Sequence, residues 1–408
     1  MKRLLIVFTI TLCFPLLSHA QKKVISQART YVKSGRDLDK AEKMMSDLLN
    51  DSANRSNEII WLTLFEAVRK QYEQGNEKLY LKQTYDTAAL FNTAAKMFTI
   101  LEAFDSVEAT PNQKGKVKIK YRSRHASYLN TYRRNLYSAG TFFLRRQNFS
   151  KAWQFYDTYI DCARQPLFSD YQYALNDTLM PQAAYWAMYA AYKQKDVPKV
   201  FKYQEMAERD TLHIDYITQY LAEASMWRND TLTYAAMLER GFQHTPTHTF
   251  FFPRLMDYYN CISQTDSAMT VVDRMLEVDS LNQMALFAKG TLLLNQGDND
   301  GCIDITQRLL ALNDTMPDAY CNMGLAYFNK AVAADGGGRP SRQSSRKLRN
   351  EVRELYRKSL PYMERYRELA PDQKSKWVPV LYTLYLNLNM GPQFDDIDRI
   401  RQEMQGKN

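Results

Sequence analysis

The chain has 408 residues, 45% of them hydrophobic and 24% charged, and a formal net charge of +9. That length exceeds one ordinary compact core and fits two or three domains or one extended array, and the balance of apolar to charged residues is that of a folded soluble protein. Only 14 glycines and 13 prolines accompany 28 tyrosines, which argues for helix and against a turn-rich β-sandwich. The chain opens on Lys2 and Arg3, an apolar run over residues 4–17, and small residues Ser18 and Ala20 at the −3 and −1 positions of a cleavage site. At about 14 residues the run is short of a bilayer span, so residues 1–20 read as a secretory signal peptide cut before Gln21. Cleavage lowers the charge from +9 to +7. A lipoprotein reading would use Cys13, but Leu12 before it is bulky for such processing. No later segment is long and apolar enough to span a membrane.

Residues 21–110 read as N-terminal helical hairpins. Within them, 57–106 form two long helices about a Gly75-Asn76 turn, with Trp61, Phe65, Phe91 and Phe98 at helical spacing. Residues 111–180 combine a basic connection with one hairpin and an irregular insertion at 164–180. No acidic residue occurs over 109–156. There "KGKVKIKYRSR" sets Lys114, Lys116, Lys118, Lys120, Arg122 and Arg124 on alternate positions, and Arg133 and Arg134 follow. Such a field attracts polyanions. Behind a signal peptide these are lipid headgroups, lipopolysaccharide, glycan or an acidic protein face, not nucleic acid; a solvated face is the plainer account.

From residue 181 a repeat appears. Frames start at Pro181, Asp215, Thr249, Gln283 and Pro317, a constant 34-residue step. "PDAYCNMGLAYFNKA" carries Tyr320, Met323, Gly324 and Tyr327; one step back, Leu286, Gly290 and Leu293 stand in the same frame. Large apolar residues would fill the holes that small ones leave between paired helices, and neighbouring pairs must stack to bury their faces. A plain bundle would not hold that phase over five units. This region resembles the tetratricopeptide repeat family. The resemblance extends to "NLYSAGTFFLRRQNFSKAWQFYDTYI" (Gly140, Phe143, Gln147, Ala152, Tyr156) and to a hairpin over residues 28–49. It implies an all-α fold, a right-handed superhelix of antiparallel helix pairs. Four repeats occupy 181–316. A fifth, 317–371, carries a basic Gly/Ser-rich insertion at 335–350, and 372–408 form a capping pair broken at Gly391-Pro392. The insertion enlarges one hairpin's turn by about 23 residues over the usual repeat and is no phosphate-binding loop, since Gly-Lys-Ser/Thr is missing.

The resemblance further implies that positions 2, 5, 9 and 12 of each first helix face a concave groove. Carried over, these are Tyr185, Tyr189, Tyr192, Tyr216, Gln219, Glu223, Met226, Phe250, Asp257, Asn260, Met284, Phe287, Leu294 and Phe328. Exposed aromatics there suit a protein or peptide partner; packing between repeats is the competing role. The Lys/Asn clamp of chaperone-tail binders is absent.

No catalytic residue, metal or cofactor is expected. His244 and His248 are four apart, but Pro246 breaks a shared helix face, and no His-Glu-x-x-His or Gly-x-Ser-x-Gly occurs. "GDNDGCIDI" lacks the first and last carboxylates of a calcium loop, having Gln296 and Gln307 there. Cys162, Cys261, Cys302 and Cys321 permit disulfides in an exported chain, or are four small buried helix residues. Asp followed by Ser/Thr and an apolar residue recurs at Asp51, Asp86, Asp105, Asp177, Asp210, Asp230, Asp266, Asp279 and Asp314. The pattern resembles an O-glycosylation acceptor motif of certain Gram-negative gut and oral bacteria; helix capping would also produce it. The expectation is an exported scaffold of the periplasm, or of the periplasmic face of the outer membrane, of a Gram-negative bacterium. It binds a protein or peptide along the groove. The rival is an envelope structural protein docking on anionic lipid, lipopolysaccharide or glycan through residues 114–146.

Overall fold

The computed structural model describes residues 21–111, 115–336 and 344–406. Residues 1–20, where a signal peptide is expected, Lys114 and residues 337–343 of the insertion lie outside the described residues. Among those described, every regular element is a helix. The chain divides into two compact units between Asp230 and Thr231, so the two helices of the repeat framed at Asp215 belong to different units.

The first unit holds α1 (residues 21–34), α2 (Leu38–Asn50), α3 (Glu58–Tyr80), α4 (Thr87–Glu108), α5 (Arg122–Arg145) and α6 (Phe149–Asp161). Then come 3-10 turns, the short α7 (Tyr173–Asn176), α8 (Met180–Lys193), α9 (Val197–Phe201), α10 (Gln204–Ala207) and α11 (Ile214–Trp227). Side-chain caps set several starts: the Asp86 carboxylate accepts from the Ala88 N–H at 2.8 Å and the Asn148 side-chain carbonyl from the Lys151 N–H at 3.1 Å, contacts worth about 1 kcal/mol each.

Two departures from the expected boundaries have local causes. Gly75 and Asn76 lie inside α3, and the turn falls at residues 81–86. A Cβ on Gly75 would stand 2.7 Å from the Tyr85 ring, so this glycine admits a neighbouring aromatic instead of reversing the chain. The second helix of the repeat framed at Pro181 is split into α9 and α10. At the break, Asp157 accepts from Lys202 Nζ at 2.5 Å and from the Tyr203 hydroxyl at 2.6 Å. Elsewhere the small-residue rule holds: a Cβ on Gly140 would stand 2.7 Å from the fully buried Tyr156 ring, whose hydroxyl lies 2.9 Å from Thr141 Oγ1.

The second unit runs α12 (Thr231–His244), α13 (Phe251–Cys261), α14 (Thr265–Val278), α15 (Gln283–Gln296), α16 (Asn299–Leu312), α17 (Pro317–Asp335), α18 (Ser344–Leu369), α19 (Lys374–Leu388) and α20 (Gly391–Gln405). α15 and α17 begin on their frame residues. Gly324 and Met363 pack α17 onto α18, and Ser359 Oγ donates to the Gly324 carbonyl at 2.7 Å in the buried seam. Trp377, Leu381, Leu384, Tyr366 and Ile397 continue that core to the terminal pair α19–α20. The basic residues at the end of the insertion belong to α18, which starts about ten residues before the repeat motif's own second helix.

Candidate partner-binding site

In the second unit, α13 and α15 wall a cavity of about 510 Å³. Phe252, Met256 and Leu292 form its apolar base, Phe287 its side, and Asp257, Asn260 and Asn295 its exposed rim. A second cavity of about 420 Å³ shares Phe252, Pro253 and Met284 with it and adds His248, Asp279 and Gln283. The two make one furrow. Its lining holds two carboxylates, Asp257 and Asp279, and no lysine or arginine.

The structure thus brings Asp257, Asn260, Met284 and Phe287 together, as the repeat positions imply. Pro253 and Thr291 stand at positions 5 and 9 of their frames and also line the furrow; the same spacing rule reaches them, although a search for aromatic or charged side chains passes them by. Phe250 does not join. It precedes the first residue of α13, is 5% exposed, and packs edge-on against Phe251 with the Arg254 guanidinium 3.9 Å from its ring. Phe328 is half-buried against Tyr356 of α18, at 5.8 Å. Leu294 packs into the core beside Cys302 and Met323.

In the first unit, α8 and α11 present a connected set of rings. Tyr220, 7% exposed, is its hub: it stacks on Tyr192 at 4.4 Å and meets Tyr189 at 5.9 Å and Tyr185 at 6.4 Å. Tyr192 also stacks on Trp227 at 5.3 Å and donates its hydroxyl to Glu223 at 2.5 Å. Tyr185 is a correction. It is 5% exposed, sandwiched against His213 at 4.1 Å, and holds α8 to the turn before α11. Gln219 is half-buried, whereas Tyr216, 49% exposed, and Met226 face solvent. The hub was missed because Tyr220 stands at position 6 of its frame, outside the groove positions. Burial drives the hydroxyls of Tyr185 and Tyr220 above the usual tyrosine range, so these rings pack and do not titrate near neutrality.

The basic region separates into exposed and structural cations. Lys116, Lys118, Lys120, Arg124 and Arg134 are exposed. Lys120 pairs with Glu58 at 3.6 Å. Arg122 makes a two-pronged contact, both distances 2.8 Å, with the buried Asp105. Arg133 is 6% exposed, between the rings of Tyr159 and Tyr173 at 3.9 and 3.8 Å. Arg122 and Arg133 are therefore corrected from polyanion contacts to packing residues; acidic partners from other segments claim them.

Cys162, Cys302 and Cys321 are buried free thiols, and burial pushes each pKa up, that of Cys321 to about 11. Cys261 is also free but exposed, unlike the buried role expected for all four. Among the Asp-Ser/Thr sites, Asp51, Asp86, Asp177 and Asp279 accept from the backbone N–H two residues on, and Ser52, Ser106, Thr178, Thr211, Thr231, Ser280 and Thr315 are exposed. Among the described residues no group of three His, Cys, Asp or Glu side chains is arranged to hold a metal, and no helix is long and apolar enough to cross a membrane.

Paired helices in 34-residue phase, closed by glycines against large side chains, decide the architecture. The fold is a tetratricopeptide-type array of helical hairpins. No family model and no curated protein matches the chain. Solved structures that resemble it include the C-terminal part of a TPR repeat-containing protein from Cytophaga hutchinsonii, 10% identical, covering 64% of this chain and 92% of that one at a TM-score of 0.41. A MamA RS-1 double mutant is 15% identical over 46% of this chain and 97% of its own, at 0.35. A TPR repeats protein from Bacteroides fragilis is 13% identical over 66% and 98%, at 0.28. At these scores the matches carry no argument of their own, and the assignment of the fold rests on the helix pairs.

Proposed function

We propose that this chain is a non-catalytic scaffold of the bacterial cell envelope that binds an extended protein or peptide segment in the furrow between α13 and α15. The observation that carries the reading is the cavity built from first-helix positions, with an apolar base and a polar rim. Its two carboxylates, unopposed by any lining cation, favour a segment with a bulky apolar residue near a lysine or arginine. Selection of a random peptide library on the purified protein tests this. Enriched sequences should pair a bulky apolar residue with Lys or Arg, lose affinity on Phe287→Ser, and change to acidic sequences on Asp257→Lys. Absence of any enrichment, or binding indifferent to Phe287→Ser, overturns the furrow as a binding site.

Export is the second half of the reading and rests on the basic, apolar and small-residue order of residues 1–20. N-terminal sequencing after expression in a Gram-negative host should begin at Gln21; a chain retaining Met1 sinks it. The rival surface, docking on anionic lipid, lipopolysaccharide or glycan, keeps the exposed Lys116, Lys118, Lys120, Arg124 and Arg134. Co-sedimentation with anionic vesicles that is abolished by neutralising those residues would favour it over the furrow.

A further inference from the structure

Far along the second unit lies a cavity of different character. It measures about 480 Å³ and is lined by Arg346, Arg349 and Arg353 of α18, Asn387 and Asn389 at the end of α19, and Tyr356 below. The three arginines fall at i, i+3 and i+7, on one face of α18. A single carboxylate, Asp335 at the end of α17, shares the lining. The lining therefore carries more guanidinium than carboxylate, and a small polar space of that sign attracts an anion. Arg353 adds a more pointed observation. Its Nε is buried and has no hydrogen-bond partner. A buried charged donor without an acceptor is costly, and few survive in folded proteins without a ligand or water to meet them.

We propose that this cavity is an oxyanion site that takes the phosphate of a phosphomonoester. Guanidinium forks match phosphate oxygens two at a time, with short charge-assisted hydrogen bonds. A phosphomonoester carries about −1.5 to −2 charge at neutral pH, which fits the surplus on the lining better than a single carboxylate does. The side-chain amide of Asn389 and the Tyr356 hydroxyl supply neutral donors, while Asn387 lines the cavity with its amide nitrogen donating to the Thr383 carbonyl at 2.8 Å. The volume exceeds that of a phosphate and leaves room for the alcohol it is esterified to. This site is separate from the furrow between α13 and α15 and does not depend on it.

Isothermal titration of the purified full chain with inorganic phosphate tests the site, with vesicles of phosphatidic acid in phosphatidylcholine as a second probe. Saturable phosphate binding is expected, weakened at least about tenfold by Arg353→Gln and by Arg346→Gln, and unchanged by Arg134→Gln. Arg346 is exposed, so its variant keeps the test valid should Arg353→Gln disturb folding, as circular dichroism would show. Vesicle binding displaced by phosphate assigns the site to a lipid headgroup; phosphate binding without vesicle binding assigns it to a soluble phosphomonoester. No saturable phosphate binding, or binding that both α18 variants leave unchanged, overturns the proposal.

Discussion

Arg133 Nη1 donates a hydrogen bond to Asp177 Oδ2 at 2.5 Å, joining residues 44 apart in the chain. A second nitrogen, Nη2, donates to the Tyr159 carbonyl at 3.0 Å, and Tyr159 in turn donates its hydroxyl to Asp177 at 2.6 Å. Burial pushes the Asp177 carboxyl up, but the hydrogen bonds from Tyr159 and Arg133 outweigh it and hold the group below its ordinary value. One cation thus anchors the irregular segment 164–180 onto α5 and α6.

Arg133→Met should therefore destabilise the fold by about 3 kcal/mol or more, because it leaves Asp177 buried without its partner. Arg134→Met, its exposed neighbour, should stay within about 0.5 kcal/mol of the parent. Urea denaturation measures both. Equal and small effects would return Arg133 to the surface.

Gly324→Ala should cost about 1 to 3 kcal/mol. The added Cβ would stand 2.5 Å from Met363 Sδ and 3.4 Å from the Met363 backbone nitrogen, so both the side chain and α18 must yield. Gly336→Ala is the matched control, with only the Val332 carbonyl at 3.5 Å. Thermal melts of the pair should separate by several degrees.

Tyr220→Ala should cost about 3 kcal/mol or more, the price of emptying a buried aromatic site. Tyr216→Ala, on the same helix but half-exposed, should change stability by no more than about 0.5 kcal/mol. Chemical denaturation distinguishes the hub from the surface ring.

Two buried groups give opposite pH trends. Burial, then the nearby Arg124 charge, lower the His125 pKa to about 4. The unfolded chain therefore takes up its proton first, and stability present above pH 6.5 is lost as pH falls towards 4. Burial, then the Asp161 carboxylate, raise Glu102 to about 8. Its unfolded form ionises first, so stability present below pH 4.5 is lost as pH rises towards 8. His125→Phe should remove the acid loss, and Glu102→Gln should stabilise at pH 8 but not at pH 4.5. Melting curves at pH 4.5, 6.5 and 8 check the sign of each.

The hairpin phase was readable because it rests on spacing: α15 and α17 start on Gln283 and Pro317, and the break between α19 and α20 falls just before Gly391-Pro392. What escaped depends on contacts distant in sequence. Gly75 reads as a turn until Tyr85 is seen filling the space beside it. Arg133 belongs to an unbroken basic run until Asp177 reaches it from the far side of an insertion. Tyr185 and Phe250 obey the groove spacing, yet His213 covers one, and the late start of α13 turns the other inward. Spacing locates a face; only the neighbouring element decides which side chains on it remain uncovered.

Cys261 closes α13 immediately after Asn260, a rim residue of the furrow. Of the four cysteines among the described residues, the other three are buried. In a chain that begins at Gln21, maleimide chemistry under native conditions should thus label one position, and an environment-sensitive dye placed there would act as an optical gauge of furrow occupancy without any engineered substitution.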